Sequence, residues 1–149
     1  MPEVETLRRA RKDKREGKAP STQAGEFVRE EMHHVREGKH GARSPEQAIA
    51  IGLSKARRAG VELPPPKEGT TSSAKTRASA KTALQKGRAG EKTSSTRSQA
   101  TRKALKREGH EAARVSALAG HAKSAARRRG HRNLSAAARK AARTRARNR

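Results

Sequence analysis

At 149 residues the chain is long enough for one ordinary domain, yet only 30% of it is hydrophobic, with a single Phe and no Tyr, Trp or Cys, against a formal net charge of +24. That balance excludes a large apolar core, a disulfide framework and a thiolate metal site, and low hydrophobicity with high charge is the composition of chains that stay unfolded. The charge points to a polyanionic partner: DNA, RNA or an anionic membrane surface.

The first segment, 1–19, is charged. Its opening MPEVETLRRARKDKREGK has no secretory-type apolar stretch, and Glu3, Glu5, Asp13 and Glu16 are out of place in an organellar transit peptide. No apolar run approaches the ~18 residues of a membrane span, so a soluble, cytoplasmic protein is expected. Residues 3–16 read as a helix supported by Glu5 and Arg9 four apart, but Val4 and Leu7 are its whole apolar stripe, so its stability is marginal.

Residues 20–63 read as a helical hairpin. Ala24, Phe27, Val28, Met32 and Val35 recur at helical spacing over 22–37, and Gly38 stops that helix. The second helix is SPEQAIAIGLSKARRAG: Ser44 caps it, Pro45 takes the first turn and Gln47 the capping-box position. Ile49, Leu53 and Ala56 share a face, with Ile51 and Gly52 beside it. Lys55, Arg57 and Arg58 sit in the last turn, where cations suit the helix dipole, and Gly60 closes it. Val61 and Leu63 can fold back over that end. The short connection GKHGAR makes the two helices antiparallel neighbours. The large apolar side chains of this region, at ~1.5–3 kcal/mol each when fully buried, scarcely match the ordering cost. The hairpin is therefore marginal alone, or stabilised by self-association or a partner.

The stretch EFVREEMHHVREGKHGARSPEQAIAIGLSKARRAGVELPPP resembles a family of small basic bacterial and phage-encoded proteins, catalogued as a domain of unknown function, that share a segment like QAIAIGLSKARRAG after a Gly/Lys-rich turn. The resemblance covers about residues 20–66. It implies a bacterial origin and a helical hairpin, and it supplies no activity, ligand or catalytic residue.

Residues 64–77, opening on Pro64, Pro65 and Pro66 and running into Ser and Thr, read as a linker. Residues 1–66 hold 14 Lys/Arg against 10 Asp/Glu, net +4; residues 67–149 hold 24 against 4, net +20. The remainder, 78–149, is a basic Ala/Lys/Arg-rich tail whose end, AAARKAARTRARNR, is similar to the tails of linker histones and bacterial histone-like proteins. Gly-His pairs recur within it at 109–110, 120–121 and 130–131. On one helix His110 and His121 lie ~16 Å apart, far beyond metal–nitrogen bonds of ~2.0–2.1 Å. The pairs read as punctuation between nascent Ala-rich helices that phosphates would template, with a pH-dependent gain of charge on the histidines as a secondary role. His33, His34 and His40 read as helix-surface and turn residues, since His33 and His34 are adjacent and point to different faces. No metal site and no cofactor is expected.

The expected fold is therefore all-α: a small helical hairpin plus a largely disordered basic tail. The expected function is sequence-nonspecific nucleic-acid binding and compaction at the nucleoid, on duplex DNA by preference, because single-strand stacking needs aromatics the chain lacks. The expected contacts are Arg127, Arg128, Arg129, Arg132, Arg139, Lys140, Arg143, Arg145, Arg147 and Arg149, a second cluster of Arg102, Lys103, Lys106 and Arg107, and Lys55, Arg57 and Arg58 extending from the hairpin. RNA or ribosome association is the first alternative, and a phage-type structural protein acting through the hairpin is the second. No enzyme is expected: Glu30, Glu31, His33 and His34 are the only acid–base cluster, with too little mass around them for a dry pocket.

Overall fold

The computed structural model describes residues 2–68, 70 and 72–147, without the side chains of residues 131, 132 and 134. Among these the chain is all-helical: α1 (Val4–Arg15), α2 (Pro20–Arg36), α3 (Pro45–Arg58), α4 (Ala74–Arg88), α5 (Ser95–Leu105), a 3-10 turn (Glu111–Ala113) and α6 (Val115–Arg147). Contacts divide it into two compact units, one ending at Ala113 and the next beginning at Arg114.

In the first unit α2 and α3 pack on one another, and α1 packs on α2. Leu7, Ala10, Ala24, Phe27, Leu53, Ala56, Val61 and Leu63 form its core. Phe27, Met32, Val35 and Val61 are buried; Val28, Ile49, Ile51, Leu53 and Leu63 are half-buried. Small residues supply the rest, so helices close by backbone proximity more than by bulk. At Gly52 a Cβ would stand 2.7 Å from the Val28 Cα, nearer than a side chain tolerates. The α1 stripe is thinner than expected, since Val4 is 84% exposed. Polar contacts seat that helix: the Arg9 guanidinium lies 2.6 Å from Glu26, and the Glu3 N–H donates to Glu30 Oε2 at 3.0 Å.

The caps of α3 follow the expected chemistry. Ser44 Oγ accepts from the Gln47 N–H, and Gln47 Oε1 reaches back to the Arg43 N–H, one residue earlier than a standard capping box. At the other end Gly60, at φ 88°, donates to Arg57 O, and Val61 donates to Ala56 O, a Schellman turn that lays the buried Val61 over the helix end.

The expectation of a largely disordered basic tail is corrected. Helix α4, capped by Ser73, buries Ala80, Ala83 and Leu84 and packs on α3. Gly87 lies so close to the Arg57 carbonyl that a Cβ there has no room. The proline run thus precedes a helix that returns to the hairpin, and the first unit continues well past it. Farther on, Ala112 and Ala113 are buried where the 3-10 turn meets α2 and α3. The turn between α2 and α3 donates from Gly41 N–H to Leu105 O and from Ala42 N–H to Gly109 O, each 2.9 Å, and Arg36 Nε donates to Ala113 O at 3.0 Å. Alanine explains the difference: its composition signals helix propensity, whereas Ala80, Ala83, Ala112 and Ala113 are buried and act as contact surface.

The second unit is α6. Gly130, at φ 72° and ψ 162°, breaks it into two helical stretches, while Gly120 lies within the first. None of its described residues is buried. Its order rests on alanine propensity and backbone hydrogen bonds.

Candidate functional site

Two arrangements of charge stand out in the fold: an exposed cationic surface and a buried cluster of carboxylates and imidazoles. The cationic residues are placed by helical repeat. Arg102 and Lys103 end α5, Lys106 and Arg107 follow it, and all four are exposed. Arg102 and Lys103 lie in the last turn of α5, and the chain carries Lys106 and Arg107 on from it through the closing turn, where the Arg107 N–H donates to Ala104 O. In the second unit Arg127, Arg128 and Arg129 close the stretch before Gly130, and Arg139, Lys140, Arg143, Arg145 and Arg147 follow on the next, all exposed. Arg139, Arg143 and Arg147 form one row with steps of ~6 Å. The Arg132 side chain and Arg149 lie outside the described residues.

The three cations expected to extend this surface from the hairpin are placed differently. Lys55 turns inward, where its ammonium meets Glu31 and lies 3.6 Å from Glu30. Arg57 is buried and donates to Leu63 O at 3.0 Å and Pro64 O at 3.1 Å, holding the chain as it leaves α3. Burial pushes its guanidinium down from the ordinary value. Arg58 donates to Thr93 Oγ1 at 3.3 Å and alone of the three stays at the surface. The helical pattern put Lys55 and Arg57 beside the apolar stripe without showing that their heads have acceptors inside.

The buried cluster was not expected. Glu30 and Glu31 on α2 are 3% and 0% exposed. Glu31 and His34 are three residues apart and share a helix face. After Glu37 the chain reverses through Gly38, at φ 73°: Gly38 donates to Val35 O and Lys39 to His34 O. This Schellman turn carries His40 back over the same face. His40 Nε2 then lies 3.3 Å from Glu31 Oε2, and His34 Nδ1 lies 3.7 Å from Glu31 Oε1. The two rings meet edge to face with centroids 5.7 Å apart. His34 Nε2 pairs with Glu3 Oε1 at 2.9 Å, and Lys39 lies 3.1 Å from the same oxygen. The hydrogen bond from His34, then that from Lys39, hold the Glu3 carboxyl down at about 2. His33 stays exposed. His33 is the helix-surface residue and His40 the turn residue that the sequence predicts, but His34 and His40 are largely covered and face Glu31. The signal in the sequence is Glu31-x-x-His34 followed by a helix-ending glycine, Gly38, and His40, whereas the adjacent pair His33 and His34 splits between two faces.

Residues 19–67 match the model of a family of unknown function (DUF6496). No curated protein and no solved structure matches the chain. The matched span holds α2, α3 and the proline run, and with them Glu30, Glu31, His34, His40 and Lys55; Glu3 and the basic half lie outside it. Among the described residues no helix is long and apolar enough to cross a membrane.

Proposed function

We propose that the chain binds nucleic acid without sequence specificity and compacts it, with duplex DNA as the preferred ligand and the nucleoid as its place of work. The observation that supports this best is the exposure of the basic rows on α5 and α6, within a half of the chain that carries net +20. Like charges four apart repel along a helix, and a phosphate backbone relieves the repulsion while releasing its own counterions. Duplex over single strand is favoured because Phe27, the one residue among Phe, Tyr and Trp, is 0% exposed, which leaves only imidazole rings and guanidinium planes for base stacking. Nothing in the cationic rows supplies the groove-reading element that sequence specificity needs.

The test is a salt-series titration of the full chain against random duplex DNA, duplex RNA and single strands. With ~8 phosphates neutralised, log K falls against log salt with a slope of about −7. Replacing Arg139, Arg143 and Arg147 by Gln should lower that slope by about three phosphates' worth, ~2.7. Equal or tighter binding to duplex RNA would favour the ribosomal alternative, and weak binding to all three near physiological salt would remove the reading.

A further inference from the structure

We infer that Glu31, His34 and His40 form a binding site for a divalent transition cation of the zinc class. The inference starts from hydrogen-bond accounting. A neutral imidazole has one donor and one acceptor nitrogen. The outer nitrogen of each ring already faces an acceptor: His34 Nε2 faces Glu3 Oε1 at 2.9 Å, and His40 Nδ1 faces Gly41 O at 3.0 Å. In neutral rings the inner nitrogens, His34 Nδ1 and His40 Nε2, are then acceptors on the side of the Glu31 carboxylate. That carboxylate is fully buried, and its Oε2 has no hydrogen-bond partner. Lys55 satisfies the other oxygen, Oε1. Two lone pairs and an unsatisfied buried anionic oxygen repel one another unless a cation stands between them.

The spacing suits an ion. One ligand atom from each of the three residues lies within 4.8 Å of the others. Two ligands at ~2.0–2.1 Å from a tetrahedral centre are about 3.4 Å apart, and His40 Nε2 and Glu31 Oε2 are 3.3 Å apart. His34 Nδ1 is the looser member, 3.7 Å from the other carboxylate oxygen, Oε1. The outer contacts have the form that metal-bound histidines use, one ring held by a carboxylate and the other by a backbone carbonyl, which orients the ring and makes the inner nitrogen a better ligand. Two imidazoles and one carboxylate suit zinc over magnesium or calcium, which favour all-oxygen sites. The side chains of His34 and His40 are each 12% exposed, which leaves an edge of each ring open to solvent. The sequence form is Glu-x2-His-x5-His on α2 and its Schellman turn.

The experiment is a competition titration of the metal-free full chain with zinc against a chromophoric chelator, repeated with cobalt(II), whose visible spectrum reports coordination geometry. One equivalent is expected to bind, with a tetrahedral cobalt spectrum and a rise in Tm. H40A should lose that equivalent and the Tm rise, whereas H33A and H121A should keep both. Glu3→Gln, which alters the support behind His34 and the neighbouring Lys39 pair but no ligand atom, should weaken binding by about 10–100-fold. Circular dichroism confirms that each variant is folded; if H40A is unfolded, Glu3→Gln and H33A carry the comparison. Absence of zinc binding, binding unaffected by H40A, or an NMR spectrum of the chain in zinc showing His40 as an imidazolium donating to Glu31 would each overturn the inference. The test is independent of nucleic-acid binding.

Discussion

Two glycines on facing helices carry opposite predictions. A Cβ at Gly52 would meet the Val28 Cα at 2.7 Å, its N at 2.9 Å and the Phe27 carbonyl at 3.0 Å, all backbone atoms that cannot rotate away. Alanine gains about 0.8–1 kcal/mol over glycine in helix propensity, but forcing α2 and α3 apart costs about 1–3 kcal/mol. Gly52→Ala should therefore lower stability, by up to about 2 kcal/mol. At Gly25, exposed on α2, nothing lies within 4 Å, so Gly25→Ala should raise stability by up to about 1 kcal/mol. Thermal unfolding of the two variants reads both signs, and equal shifts would show that the α2–α3 contact is looser than described. At this scale much was legible beforehand. Ser44, Pro45 and Gly60 announce the ends of α3 because capping is local chemistry. The inward turn of Lys55 and Arg57 was not, because it depends on acceptors at Glu31, Leu63 and Pro64 that only the fold brings near.

Among the elements, α4 decides where the first unit ends. Its N-terminal cap, Ser73 accepting from Thr76 N–H at 3.1 Å, is readable from sequence. Its partner is not, because the stripe of Ala80, Ala83 and Leu84 holds one large residue, which any composition argument discounts. Yet Leu84 is 9% exposed and the exposed Arg88 forms a two-pronged pair with Glu62 just beyond α3. Leu84→Ala removes the one large apolar side chain that α4 buries. Buried leucine truncations cost about 2–5 kcal/mol, and an edge position such as this belongs near the low end, about 2 kcal/mol. If α4 is integral to the first unit, that loss appears in the single unfolding transition of the hairpin. A Tm unchanged by Leu84→Ala would restore the linker-and-tail reading of residues 64–88. Helices α5 and α6 carry no buried described residue, so their amides should exchange with solvent faster than those of α2 and α3.

For the whole molecule, charge sets how stability responds to pH and salt. Glu5, Glu16 and Glu62 are each held below the ordinary carboxylate value of 4.5 by hydrogen bonds from Arg8, Lys18 and Arg88 respectively. A carboxylate with a depressed folded value contributes stability that is complete above its unfolded value and is lost as pH falls through the folded one. Between pH 7 and 5 these groups should leave Tm unchanged; below about 4.5 Tm should fall. The same protonation removes the balancing negative charges: neutralising all 14 Asp/Glu takes the formal net charge from +24 to +38 with histidine counted as neutral. Salt separates the two contributions. Exposed ion pairs are worth little and weaken with ionic strength, whereas repulsion among 38 Lys/Arg is relieved by it, with a Debye length of about 10 Å at 0.1 M. Repulsion is the larger effect at this charge, so raising sodium chloride from 0.02 to about 0.2 M should raise Tm even at pH 7, and raise it more at pH 3. A fall in Tm with salt at pH 7 would mean that the surface pairs of the first unit outweigh the field of the basic half, and that the fold does not depend on a polyanion to relieve it.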